Sequence, residues 1–404
     1  MLTRAGVPVV SEAEPSAPDP ARPTLLCFSH LRWDFVFQRP QHLMSRFARE
    51  MTVVFWEEPT EIGARETAFL KVRKADDAAN VRIVTPHLPA GLDEERETVL
   101  KRLLDAHVSS CARPLVTWYY TPMMLPFSRH LDTSAVIYDC MDELSKFRFA
   151  PERLLDLEQE LIGRADLVFT GGASLYEAKK DRHPSVHCFP SSVDRPHFAK
   201  ARRELPQPAD QAELKHPRLG FYGVIDERFD IDLLREVADM RPDWSFVMVG
   251  PVVKIGEDEL PRAANIHYVG GKTYEQLPTY LSGWDVALMP FAMNDSTQFI
   301  SPTKTPEYLS GGKPVVSTPI RDVVRTYGHL EGVHIACDAD GFVRCCEKAL
   351  EQSRDPNGEW LAEADLLLAA TSWDTTQARM AGLIAEALGE RTEQEASALL
   401  VAAE

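Results

Sequence analysis

Short apolar runs recur along the chain, and stretches with helical spacing lie between most of them. Leu25, Leu26, Cys27 and Phe28 form the first run, in residues 24–28. Residues 52–56, 81–85, 115–119, 135–138, 165–170 and 186–189 continue the series. Residues 41–49, 97–108 and 153–164 put their apolar side chains on one side of a helix. Uninterrupted apolar strands alternating with helices predict a parallel sheet covered on both faces. The pattern ends at Asp194. A polar stretch rich in charge and proline follows to about residue 217 and reads as a linker. The alternation then restarts, with strands expected at 219–223, 245–250, 266–270, 286–290, 314–317 and 333–336. Helices are expected at 232–239 and 274–281, and a last amphipathic helix at 373–388.

The fold class is therefore α/β, with two doubly wound domains in tandem. Such sheets bind ligands outside the carboxyl ends of their strands, so two facing domains place the site in a cleft between them. The expected division is a flexible leader over 1–22, a first domain over 23–195, a linker over 196–217 and a second domain over 218–372. A helix over 373–390 and a fraying tail over 391–404 complete it.

Composition narrows the function. Hydrophobic residues are 44% and charged residues 26%, which excludes wholesale disorder. Lys plus Arg is 44 against 61 for Asp plus Glu, a formal charge of −17. Such a chain lacks the basic footprint of a nucleic-acid binder. Adsorption of the whole body to an anionic membrane is disfavoured too, although a local basic patch remains free to dock peripherally. The seven cysteines are odd in number, include no C-x-x-C, and sit partly in strand-like runs. They read as reduced, buried thiols, not as disulfides or zinc ligands. The N-terminus has no signal-peptide pattern and no run is long enough to cross a bilayer, so the expected location is the cytoplasm.

The densest chemistry lies in residues 299–317. Ser301 suits an N-cap and Pro302 a first helical position, while Gly311 and Gly312 suit a stop before the next strand. The short helix then begins at the ligand edge of the sheet, where free N–H groups favour a phosphate. A cation in its first turn, Lys304, is disfavoured by about 0.3–1 kcal/mol unless an anion binds there. Glu307 shares its face and could accept hydrogen bonds from a ribose diol. The bland alternative is a Lys304–Glu307 ion pair on a solvated helix. It leaves the Ser-Pro start and the Gly-Gly stop unexplained. Gly223, in the turn after the 219–223 strand, permits close backbone approach, and Arg228 could reach a diphosphate. No G-x-G-x-x-G follows a strand, which argues against a dehydrogenase. Lys272, in the strand-to-helix loop at 269–274, reads as solvated.

Taken together these segments resemble the retaining, nucleotide-sugar-dependent glycosyltransferases of the two-Rossmann GT-B fold, close to glycosyltransferase family 4. Residues 28–43, FSHLRWDFVFQRPQHL, look like a bacterial subfamily associated with teichuronic-acid or exopolysaccharide synthesis. The similarity continues through YDCMDE at 138–143, PSSVD at 190–194, residues 220–230 and 301–317, and ends near SWD at 372–374. Three positions depart from the family pattern. Phe299 stands where a Glu usually touches the donor sugar. Val224 replaces the Arg of a Gly-Arg turn, and Tyr120 falls where a first-domain His is usual.

The resemblance implies transfer of a sugar from a nucleoside-diphosphate sugar to a hydroxyl of a glycan or lipid-linked acceptor. It implies donor binding by Gly223, Arg228, Ser301, Thr303, Lys304 and Glu307, and a final helix that crosses back to the first domain. Asp142, His30 and Arg39 are the catalytic candidates. Each also has a structural alternative: a helix cap, a core histidine and a loop-ordering donor. Trp33, Phe35 and Phe37 could stack on an acceptor or form a core cluster. No metal and no other cofactor is expected, because cationic side chains take the place of an acidic clamp. Two rival readings are a nucleotide-sugar epimerase and an inactive binding subunit of the same fold.

Overall fold

Every residue of the strand Thr24–Ser29 is buried, because helices or chain segments cover both faces of the sheet it belongs to. A computed structural model describes residues 9–11, 22–92, 95–355 and 358–402. The expected leader over 1–22 falls outside the described residues apart from 9–11 and 22.

The first sheet contains β1 (Val9–Ser11), β2 (Thr24–Ser29), β3 (Thr52–Glu57), β4 (Thr60–Ile62) and β5 (Phe69–Lys74). It also contains β6 (Val81–Pro89), β7 (Leu115–Tyr119), β8 (Ala135–Cys140), β9 (Leu167–Thr170) and β10 (Val186–Cys188). Their order is β1-β5-β6-β3-β2-β7-β8-β9-β10, with β4 beside β6. All pairings are parallel except β5 with β6. The strand order reverses at β2, so a switch point lies between β2 and β7, the place where doubly wound sheets open a crevice.

The second sheet contains β11 (Arg218–Tyr222), β12 (Ser245–Val249), β13 (Ile266–Gly270), β14 (Val286–Met289), β15 (Val315–Ser317) and β16 (Val333–Ile335). It is wholly parallel, in the order β13-β12-β11-β14-β15-β16. Its switch point lies between β11 and β14.

The strands β1, β4 and β5 were not anticipated. In β5, Leu70 and Val72 are buried while their neighbours are not, so the strand is one-sided and shows no continuous apolar run. The segment expected as a linker carries helical turns at Arg195–Phe198, Ala199–Arg202 and Ala209–Ala212. Val193, Phe198 and Ala201 are buried in the core of the second domain. The last helix runs Trp373–Ala402, and its Trp373, Met380 and Ile384 are buried in a first-domain core cluster.

Candidate active site

The two switch points face each other across a cleft of about 760 Å³. Residues 33–39, Met141 and Asp142 line it from the first domain. Tyr222, Gly223, Arg228, Lys304 and Glu307 line it from the second.

The helix that carries Lys304 and Glu307 runs Lys304–Ser310 and has Thr303 at its N-cap. Ser301 and Pro302 were expected to start it, and they do not. The hydroxyl of Ser191, in the first domain, donates to the carbonyl of Ser301 at 2.8 Å, which holds that residue in an extended loop along the cleft. Pro306 in the first turn has no N–H, so this helix start offers fewer donors than the sequence pattern promised. The stop is as expected: Gly311 is the C-cap, and Gly312 has φ +74°.

Lys304 and Glu307 are not a solvated pair. Glu307 is 7% exposed and accepts a hydrogen bond from the Tyr222 hydroxyl at 2.8 Å. Tyr308 accepts the Tyr222 N–H at 3.0 Å, so two tyrosines fix this corner of the site. Burial pushes the Glu307 carboxyl up to about 7, against the pull of the Tyr222 hydroxyl and the Lys304 charge. Burial pushes the Lys304 ammonium down to about 8, partly offset by the carboxylates of Glu307, Asp226 and Asp142. The ammonium lies 5.7 Å from the ring centre of Phe221 and 5.6 Å from that of Phe291. A half-buried cation with a lowered pKa gains when an anion arrives beside it.

Arg228 is held by Asp226, two residues before it in the same loop. The guanidinium Nε and Nη2 meet the two carboxylate oxygens at 2.9 and 2.7 Å, and the backbone N–H of Arg228 donates to the same carboxylate at 3.0 Å. Phe147 of the first domain lies 5.2 Å beneath the guanidinium. Asp142 completes the cluster. Burial raises its carboxyl to about 6, opposed by the charge of Arg228 and reinforced by Asp226. Thus Asp142 faces the cations of the second domain from across the cleft. The N-cap of the helical turn after it is Glu143, so Asp142 is not the helix cap weighed as its alternative.

Of the other candidates, Arg39 lines the cleft but its guanidinium is engaged within the first domain. Arg39 forks onto Asp139 at 2.9 and 2.8 Å and donates to the carbonyl of Phe189 at 2.8 Å, with its side chain 3% exposed. It ties the helix Arg39–Phe47 to the ends of β8 and β10. His30 has an Nδ1 that is buried without a partner, and burial lowers its ring to about 4. It is not among the cleft-lining residues. Tyr120 is buried, its ring tilted against Trp118. Phe299 packs on a first-domain core cluster and supplies no carboxylate to the cleft. Ser301 and Thr303 line the cleft. Lys272 pairs with Asp210 at 2.7 Å. Of the three aromatics, Trp33 is buried with its indole N–H on Asp77, Phe37 stacks on Tyr274 at 4.6 Å, and Phe35 is 48% exposed.

Contacts across the cleft were beyond the sequence. Asp322, 4% exposed, accepts from the Ser174 N–H at 3.0 Å and from the Ser174 hydroxyl at 2.5 Å. A carboxylate of the second domain thereby caps the first-domain helix Ala173–Lys179. No grouping of three metal-ligating side chains occurs among the described residues, and none of their helices is long and apolar enough to cross a membrane.

This geometry defines a chain of the two-domain GT-B glycosyltransferase fold, in which residues 216–352 match the family described as glycosyl transferases group 1. The chain is 28% identical over 261 residues to TuaH of Bacillus subtilis (strain 168), a protein provisionally named a teichuronic acid biosynthesis glycosyltransferase. That match covers 59% of this chain and 64% of TuaH, just under two thirds of the relative's length. Among solved structures, sucrose-phosphate synthase of Thermosynechococcus elongatus aligns with a TM-score of 0.66 at 16% identity, over 91% of this chain and 100% of that one. An E. coli structure described as trehalose-6-phosphate bound with UDP-2-fluoro glucose aligns with a TM-score of 0.65 at 13% identity, over 90% and 99%. At such identities these two establish the fold alone.

Proposed function

We propose that the protein transfers a sugar from a nucleoside-diphosphate sugar to a hydroxyl of a glycan or glycolipid acceptor. We assign this reaction retention of configuration, independence from metal, and a place in cell-surface polysaccharide synthesis at the inner face of the membrane. The observation that carries the reading is the meeting of Lys304, Arg228 and Asp142 in one cleft at two facing switch points. The name of TuaH supports the polysaccharide context.

In the proposed step the bond from the anomeric carbon to the diphosphate breaks and a bond to the acceptor oxygen forms. Lys304 and Arg228 stabilise the charge that grows on the departing diphosphate. Asp226 holds Arg228 in place as a positioning residue. Glu307 receives the ribose hydroxyls, with its carboxylate fixed by Tyr222. Asp142, mostly ionised near neutrality, orients the acceptor or takes up its proton. Titrating the full chain calorimetrically with UDP-, GDP- and dTDP-sugars tests this. One donor should bind, and Lys304→Ala or Glu307→Ala should weaken it by about tenfold to a hundredfold. Unchanged affinity in both variants would overturn the assignment.

Phe299 favours a second reading, an inactive nucleotide-sugar-binding subunit, because it turns into the first-domain core where relatives of the resembled family carry a Glu. Hydrolysis of the donor in the absence of acceptor would exclude that reading. Binding with neither hydrolysis nor transfer would favour it.

A further inference from the structure

Asp142 faces the cations of the second domain across the cleft, and the first domain fixes its backbone from both sides. On the N-terminal side, the Gly171 N–H donates to the carbonyl of Cys140 at 2.9 Å. A Cβ on Gly171 would stand 2.7 Å from the Met141 carbonyl oxygen and 2.8 Å from Met141 Cα, so the loop lies directly on the glycine. On the C-terminal side stands Glu143, which is buried. One of its carboxylate oxygens accepts from the Ser145 hydroxyl at 2.9 Å, and the other meets the Lys179 ammonium at 2.6 Å.

Lys179 ends the helix Ala173–Lys179 and is 3% exposed. Its ammonium also donates to both oxygens of Glu158, at 2.8 and 2.9 Å. Glu158, itself buried, accepts in addition from the Tyr138 hydroxyl at 2.9 Å and from Arg182 at 2.7 Å. Every carboxylate oxygen of Glu143 and Glu158 therefore has a donor. Desolvation offsets much of what the attraction between such buried charges gains, and an apolar set of the same volume often stabilises a fold as well. Stability alone thus gives little reason for the network. Its members do not line the cleft. What they do is tie β8, through Tyr138, and the helices Leu154–Arg164 and Ala173–Lys179 to the residue that follows Asp142.

We propose that Lys179 and Glu143 are positioning residues for Asp142: Lys179 clamps Glu143, and the clamped backbone aims the neighbouring carboxylate into the cleft. This rests on the role given to Asp142 in the proposed reaction. A group that orients an acceptor or takes its proton acts within hydrogen-bond reach, so small displacements of its backbone change the rate steeply.

The test compares kcat and donor affinity of the full chain with those of Glu143→Ala and Glu143→Gln, using whichever of the UDP-, GDP- and dTDP-sugars binds. Glu143→Ala removes the contact to Lys179 and leaves Lys179 paired with Glu158. It should lower kcat by about tenfold to a hundredfold, the effect of roughly 1 Å of misplacement. Donor affinity, set by the second domain, should stay as it is. Glu143→Gln keeps an acceptor for the ammonium and should fall between the two. In an Asp142→Asn background, Glu143→Ala should cost no further activity, because the group it aims is already gone. Equal losses in both backgrounds would show a merely structural role and overturn the proposal, as would native turnover in Glu143→Ala. If Asp142→Asn has no measurable turnover, the acid limb of the pH profile decides. Asp142 sets that limb near pH 6, and its midpoint should move in Glu143→Ala; an unmoved midpoint would overturn the proposal. Native turnover in Asp142→Asn is a different failure, that of the role of Asp142. Neither transfer nor donor hydrolysis by the native chain would overturn the reaction itself, and the inference with it.

Discussion

A Cβ built on Gly223 would stand 2.4 Å from Lys304 Cε and 2.9 Å from its Nζ, so the lysine fills the space that any other residue at 223 would claim. Gly223 also sits at φ +143°, a conformation costly for side-chain-bearing residues. The glycine after β11 is thus the seat of the cation. Gly223→Ala should push Lys304 out of position and weaken donor binding as much as Lys304→Ala does, with about 1–3 kcal/mol of stability lost to strain. Gly163, inside the helix Leu154–Arg164, has open space around it and serves as the control. Gly163→Ala should stabilise by about 0.5–1 kcal/mol and leave affinity alone. Parallel melting and donor-binding curves would check both.

Glu307 should reveal itself through the pH dependence of stability. Its folded carboxyl sits at about 7, above the ordinary value of 4.5, because burial disfavours its charge. A raised carboxyl destabilises the fold once the unfolded chain ionises: nothing is lost below pH 4.5, the penalty grows between 4.5 and 7, and it is complete above 7. Glu307→Gln removes that penalty while keeping an acceptor for the Tyr222 hydroxyl. The variant should match the native protein at pH 4.5 and exceed it by about 1–3 kcal/mol at pH 8, in urea unfolding. Donor affinity should fall in the same variant. Equal stability at both pH values would show that the carboxylate carries no such strain.

The strands that frame the cleft were legible because β2, β7 and β11 are buried on both faces and read as unbroken apolar runs. The edge strand β5 was not, since half of its side chains face outward. Lys304 and Glu307 could be named from local spacing. Their environment could not, because Tyr222 comes from a strand 85 residues away. Arg39 lines the cleft, as its place after the first strand suggested, but its partner Asp139, 100 residues on, lay beyond local spacing. The start of the 304–310 helix was misplaced for a similar reason, an anchor from Ser191 that local capping rules do not include.

Metal removal separates cationic from metal-assisted departure of the diphosphate. Lys304 and Arg228 stand where a metal-dependent transferase would need a carboxylate clamp, and Asp226 is already taken by Arg228. Transfer should therefore persist in EDTA at the rate seen with magnesium or manganese. Complete loss in EDTA, restored by either ion, would mean that the cluster is organised around a cation after all.

Asp322 should control how often the cleft is shut. Its carboxylate reaches from the second domain to the Ser174 N–H and hydroxyl, and a Cβ on the adjacent Gly172 would come within 2.3 Å of it. The approach is close enough that the contact exists only when the domains are together. Asp322→Ala removes a charged acceptor and leaves the first turn of a helix uncapped, which should cost the closed arrangement about 1.5–3 kcal/mol. That is roughly a tenfold to hundredfold shift toward open forms, with each domain's own core untouched. Small-angle scattering should then give a larger radius of gyration for the variant than for the native chain. Saturating donor should shrink the difference, because its contacts to both domains favour the same closed state. Asn at this position keeps one acceptor oxygen and should fall between the two. If Asp322→Ala scatters like the native protein with and without donor, the Asp322–Ser174 contact does not govern closure, and the stack of Phe37 on Tyr274 becomes the contact to remove next.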